Sequence, residues 1–483
     1  VPGIFLSHGR APTTAPTWVT VSVTASSGGD SLSHASSIDT ITRRLLRNAG
    51  TMLGGKAAMG LINLAATSVA FRSLGIEAFG ILVLMHAFAQ TASSITKFQS
   101  WQAVLRYGAA SLENGQRAEF RSLVRFTASL DAGAALGGMF ICAAVAFWLG
   151  GVFEIPPQMA GMAALYATSS AFMVMATPTG LLRLFNRFDV LATRDTVGAL
   201  VRLAGAGLAA LLGGGLPAFL AVWYLATAVG GLSLAFAAWR ELHRRGLTGD
   251  KGEGRLPRAS VAHPGIWSFV WTTNLTSTLS LASGHLGALC AGAVLGPAEA
   301  ALFAIARQIG EAALKPGRFL SPAIYPELAR LAASRNRHAI GALMRRALLA
   351  STGGSALLLA VLALLGHPLL RMVGGAEASP AYAVMMLLGV ASAIGFASFA
   401  LEPLLMSIDR QGAALRARLA GAVLYVPAAL AGMHFLGLWG AGLASIAMAV
   451  LMAVLQAGTA VAVLRGANNR LNNPPPDTAV KVD

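Results

Sequence analysis

Residues 51–97 read TMLGGKAAMGLINLAATSVAFRSLGIEAFGILVLMHAFAQTASSITK. Two apolar runs, 51–71 and 79–96, flank a short polar break, and each is close to the ~20 residues that a helix needs to cross a hydrocarbon core. The pattern continues along the chain. Further runs lie at 126–149, 159–181, 196–214, 217–239, 266–289, 299–314, 347–366, 381–405, 419–436 and 440–463. Charged residues are only 12% of the 483 and hydrophobic residues 55%, with a mean hydropathy of +0.64. Soluble domains carry about 25% charge, so a soluble fold is excluded. The expectation is an all-α polytopic membrane protein of about twelve transmembrane helices, arranged as two six-helix bundles around a central cleft.

The basic residues orient it. The loops on one side hold only Arg72 and Arg371, and the spans hold Lys56, Arg202 and Arg307; every other Lys and Arg of the 36 falls on the alternate loops and termini. The positive-inside rule then puts both termini and the central linker in the cytoplasm, with multiple passes through the inner membrane. Placed this way, the +16 net charge belongs to a membrane surface and not to nucleic acid. Cys142 and Cys290 sit in or beside apolar runs, so neither a disulfide framework nor a metal site is expected. Residues 1–42, rich in Ser, Thr, Gly and Pro, lack a signal-peptide pattern and read as a disordered extension.

The Gly-rich and basic stretch 240–264 divides the spans into halves, 43–239 and 265–465, with a cytoplasmic tail at 466–483. The halves resemble each other. Leu74-Gly75 before span 2 matches Leu295-Gly296 before span 8, Arg125 at span 3 falls opposite Arg345-Arg346 at span 9, and Pro178 through Arg187 parallels Pro403 through Arg410. Six spans per unit bring both copies in from the same face, as in transporters built from parallel repeats, with substrate between the bundles.

Polar residues within spans are expensive and should face an internal cavity. Span 1 stacks Lys56, Asn63 and Thr67; span 2 carries His86, Gln90, Ser93 and Ser94 and ends at Lys97; span 7 offers Asn274, Ser277, Thr278 and His285; span 8 stacks Arg307, Glu311 and Lys315. Arg307 lies too deep to reach water, with Glu311 its local partner. Lys56 is shallow enough either to snorkel or to face the cavity, and Arg202 is expected to snorkel. Asp131 and Glu402 read as solvated helix-end groups. His86 and His285, with Glu311, are the candidates for proton or ion coupling. Gly50 to Ala57 approximates a phosphate-binding loop but has Ala57 where magnesium needs Ser or Thr, so nucleotide binding is set aside and no cofactor is expected.

Spans 1 and 2 contain no Asp or Glu. A cleft of that sign favours an anionic cargo such as a phosphate ester over a cationic drug. Arg47-Asn48, the stretch Phe71-Arg72-Ser73-Leu74-Gly75-Ile76-Glu77-Ala78-Phe79-Gly80, and Thr177-Pro178-Thr179-Gly180-Leu181-Leu182-Arg183 leading to Asn186-Arg187-Phe188 carry a resemblance. Over 43–465 the chain resembles the Wzx-type polysaccharide flippases of the multidrug/oligosaccharidyl-lipid/polysaccharide exporter superfamily. That resemblance implies flipping of undecaprenyl-pyrophosphate-linked oligosaccharide for O-antigen lipopolysaccharide, exopolysaccharide or capsule. It also implies a cationic cleft, for which Lys56 and Arg307 are the candidates, with Asn63, Gln90, Asn274, Glu311 and Lys315 around the cargo. A polysaccharide polymerase and a chain-length regulator are the expected partners, beside membrane lipids. A cation-coupled multidrug exporter and a peptidoglycan-precursor flippase are the alternatives. A membrane-embedded enzyme is disfavoured because no outer loop is long enough to carry catalytic residues.

Overall fold

Two Leu-Gly pairs, at residues 74–75 and 295–296, break helices at positions that match in sequence. A computed structural model describes the backbone of residues 31–148, 150–154, 156–248, 257–312, 330, 337–407 and 410–472, and their side chains except at 31–57, 275–285, 312, 337–338, 411 and 463–472. The first helix, α1 (Ser31–Thr96), is broken at Gly75, with φ 75° and ψ 173°. Gly296 separates α10 (Ile266–Leu295) from α11 (Pro297–Ala312) with φ 91° and ψ 177°. That region of backbone space is open essentially to glycine alone. Equivalent turns in the two halves therefore use the same conformation at the residues that match in sequence.

The other helices follow in order. After α1 come α2 (Ser100–Glu113), α3 (Arg117–Trp148), α4 (Ala160–Ala167), α5 (Ser170–Met173), α6 (Ala176–Leu184), α7 (Phe188–Leu211), α8 (Leu216–Arg244) and the short α9 (Ala259–Ala262). After α11 come α12 (Arg337–Gly374), α13 (Ala381–Ala397), α14 (Leu401–Ser407), α15 (Gln411–Leu436) and α16 (Leu438–Asn472). Among the described residues each of the twelve predicted spans contains helix, but the runs predicted for spans 4 and 10 are interrupted. Eight helical stretches among the described residues are long and apolar enough to cross a membrane, α1 beyond Ala58 counting as one. Helix α1 begins at Ser31, within the stretch that composition reads as an extension.

Spans 4 and 10 are segmented, and for one reason. Pro178 sits in the first turn of α6 and Pro403 in the first turn of α14. Proline lacks the N–H that would continue a helix from upstream but is tolerated in a first turn. The chain accordingly breaks between α5 and α6 and between α13 and α14.

Over residues 56–483, α1 packs near these turns against α10 and α11 at two places and against the end of α12 at a third. A Cβ on Gly80 would overlap the Pro297 carbonyl, and one on Gly292 would overlap Leu84, so small residues let these backbones approach. Phe71 lies against Gly374 in the same way. Nearer the linker, Phe98 meets Trp271 edge-on at 5.4 Å between centroids, and Phe126 meets Trp267 at 5.0 Å.

Candidate functional site

The polar stripe of span 1 reaches both halves. Asn63 Nδ2 donates back to the Met59 carbonyl at 3.0 Å, leaving its Oδ1 turned outward from the helix. The Thr67 hydroxyl, one turn on, lies 2.9 Å from the Asn63 carbonyl and 3.1 Å from Gln308 Oε1 of α11, 241 residues away in sequence, and shares its one proton between these two acceptors. Arg307 adjoins that contact, and its Nε lies 4.0 Å from Glu311 Oε1 one turn later. The side chains of Arg307 and Glu311 keep 25% and 38% exposure, so the pair is not sealed between helices. Tyr425 of α15 lies within electrostatic reach of both.

Arg202 corrects the sequence reading. It does not snorkel; its guanidinium lies over the Trp223 ring at 5.3 Å and reaches Asn63 Oδ1 at a long 3.5 Å. Its Nε is fully buried without a hydrogen-bond partner. Asp131 also departs from expectation. It is 8% exposed and accepts from Ser100 Oγ at 2.8 Å and the Thr177 backbone N–H at 2.6 Å, tying α2 and α6 to α3. Glu402 pairs with Arg418 at 2.6 Å.

One face of span 2, that of His86 and Ser93, turns towards the interior of the first half. His86 Nδ1 lies 2.7 Å from the Tyr166 hydroxyl, and Ser93 Oγ donates to the Gln90 carbonyl at 2.9 Å. Gln90 is half-buried. Lys97, directly after α1, stands near Arg194, Arg183 and Asp131. Burial first, then Arg194 and Arg183, holds its ammonium below the usual lysine range, with Asp131 acting against them. Arg183 covers the Trp101 ring at 4.3 Å. Asn274 in α10 is buried. The side chains of Lys56, Ser277, Thr278, His285 and Lys315 lie outside the described residues.

The structure thus joins Asn63 to Arg202, Thr67 to Gln308 and Arg307 to Glu311. Gln308 was not singled out from sequence, although it adjoins Arg307 on a helix already marked as polar. A family model of polysaccharide biosynthesis proteins matches residues 45–332. The chain belongs to the polysaccharide biosynthesis protein family.

Relatives of this family member agree. Inner membrane protein YghQ of Escherichia coli is 34% identical over 344 residues, 70% of this chain and 95% of the relative. An inward-facing multidrug resistance MATE family transporter of the MOP superfamily shares the fold with a TM-score of 0.67 at 14% identity, over 84% of this chain and 96% of that one. The lipid II flippase MurJ, in an inward closed conformation, does so with 0.62 at 11% identity, over 88% and 94%. The all-helical, multi-pass membrane fold and the superfamily resemblance read from the sequence both hold.

Proposed function

We propose that this family member flips an anionic, lipid-linked oligosaccharide across the inner membrane by alternating access, its two six-helix halves rocking about the cleft between them. The supporting observation is the Thr67–Gln308 contact between the halves, beside the partly exposed Arg307–Glu311 pair. Arg307, Lys56 and Lys315 would bind the pyrophosphate of an undecaprenyl-linked repeat unit. Asn63, Gln90 and Asn274 would contact sugar or phosphate, Glu311 would orient Arg307, and His86, His285 or Glu311 would carry a coupling proton.

Charge supports an anion over a cationic drug. The interior cation facing Asn63 is Arg202, and the spans that bear Asn63 and His86 contain no carboxylate to offset it. A half-buried guanidinium repels a cation and attracts phosphate oxygens more strongly than one in water. The inside-negative potential would drive such an anion outward, by ~2.3 kcal/mol per charge per 100 mV. The polymer is an O-antigen, exopolysaccharide or capsule, made with a polymerase and a chain-length regulator.

Arg307→Ala tests this reading. Surface polysaccharide in a complemented deletion strain should be lost while the protein stays in the membrane at normal level. Normal polymer from that variant removes Arg307 from the mechanism, and drug sensitivity of the deletion strain with unchanged polymer favours an exporter instead.

A further inference from the structure

A cluster at the linker-side end of α8 takes no part in the transport reading. Arg187, just before α7, donates from Nε and Nη2 to the two oxygens of Asp189, each at 3.0 Å, and from Nη1 to Glu241 Oε2 at 3.0 Å. Glu241 Oε1 accepts from Arg245 Nε at 2.9 Å. Glu241 is buried, so its charge is committed to these two partners and the Arg187 guanidinium is held in one position.

Arg240 and Arg244 stand one turn apart on α8 and line a surface pocket with Arg187, Glu241, Val190 and Phe236. Both are exposed, and neither has a carboxylate partner among the described residues. Like charges four apart on a helix repel by a few tenths of a kcal/mol. Four guanidinium groups and two carboxylates leave the cluster with an excess of two positive charges. An anion placed between Arg240 and Arg244 would offset that excess.

The apolar side of the pocket indicates which anion. Phe236, one turn before Arg240, is 60% exposed, and the neighbouring Trp239 stacks on His243 at 5.6 Å between ring centroids. Along α8 the order is therefore exposed aromatic, then cation, then cation, running from the membrane-embedded part of the helix towards its end. Aromatic rings of this kind sit at the bilayer interface, with basic groups at headgroup level. A phospholipid has the same order, acyl chain and then phosphate. Free phosphate would satisfy the arginines but leave Phe236 and Val190 without a partner.

We propose that this pocket binds the headgroup of an anionic phospholipid, with Arg240 and Arg244 forking onto the phosphate oxygens and Phe236 against the upper acyl chain. The assignment does not depend on which cargo the cleft carries.

The test uses delipidated full-length protein in detergent, followed by native mass spectrometry and thermal melting with phosphatidylglycerol, phosphatidylcholine or inorganic phosphate. Phosphatidylglycerol should stay bound and raise the Tm, and the other two should not. Arg240→Gln with Arg244→Gln should weaken phosphatidylglycerol binding about tenfold, the equivalent of ~1.4 kcal/mol, at unchanged lipid-free Tm. Phe236→Ser should weaken lipid binding while leaving the arginines in place. Arg345→Gln with Arg346→Gln, an exposed basic pair in the other half, serves as control and should bind as the parent does. Undiminished binding in the Arg240/Arg244 variant, equal loss in the control, equal stabilisation by phosphatidylcholine, or stabilisation by inorganic phosphate alone would each overturn the proposal.

Discussion

Arg202 shows how far one residue's position can be read from its place in a run. Counting from the start of span 5 makes it shallow, and a long basic side chain near a helix end ordinarily snorkels. The direction it takes depends on which way its face of α7 is turned, and neighbours on α1 and α8 decide that. Trp223 offers a π face and Asn63 an acceptor, so the guanidinium is drawn inward although its Nε finds no partner. A half-buried charge without a carboxylate is costly, and even buried ion pairs are often replaced by apolar groups of similar volume at no loss or a gain of about 1–4 kcal/mol. Arg202→Met should therefore melt no lower than the parent while lipid-linked oligosaccharide flipping in proteoliposomes falls about tenfold or more. A lower Tm with unimpaired flipping would make Arg202 a packing residue.

At the scale of elements, the turn after span 1 does more than reverse the chain. Ser68 Oγ donates to the Val373 carbonyl at 2.9 Å, and Arg72 Nη2 donates to the Met372 carbonyl at 2.7 Å and the Arg371 carbonyl at 3.1 Å. The last carbonyls of a helix have no partners within it, and the negative end of the helix dipole attracts a cation. Arg72 thus caps α12 of the other half, next to the Phe71–Gly374 and Gly80–Pro297 contacts. These contacts would hold the outer ends of the halves together. With Cys142 and Cys290 buried, a Ser68→Cys reporter should react slowly with a membrane-impermeant maleimide added from outside. Adding Arg72→Ala should speed labelling about fivefold, the equilibrium equivalent of ~1 kcal/mol for the charged hydrogen bonds removed. An unchanged rate would mean that the cap does not control outer closure. Arg72 was visible in the sequence as a rare basic residue on a loop otherwise free of them, but its partners, some 300 residues away, were not.

For the whole molecule, the basic residues make a prediction about orientation. Reporter fusions at the carboxyl terminus and within 240–264 should fluoresce as cytoplasmic fusions do, and alkaline phosphatase fused at 375 should be active outside. An active phosphatase in the linker would reverse the topology and the proposed direction of transport together. The matched glycine and proline positions were legible because these residues constrain the backbone wherever they stand. Gly75 and Gly296 adopt one conformation, and Pro178 and Pro403 each start a helix after a break. The polar stripes were legible for a similar reason, since a helix puts residues three and four apart on one face.

The sequence by itself determined that the chain crosses a membrane many times and with which charge bias, because both follow from local composition and hydropathy, whereas it read straight through the breaks that the structure places within spans 4 and 10. Only the tertiary structure decided which polar residues meet. Asn63 to Arg202, Thr67 to Gln308 and Arg72 to the end of α12 join residues far apart in the chain, and helical periodicity specifies a face but not the helix it will face. That choice belongs to packing between helices, where small residues such as Gly80 and Gly292 set how closely two backbones approach.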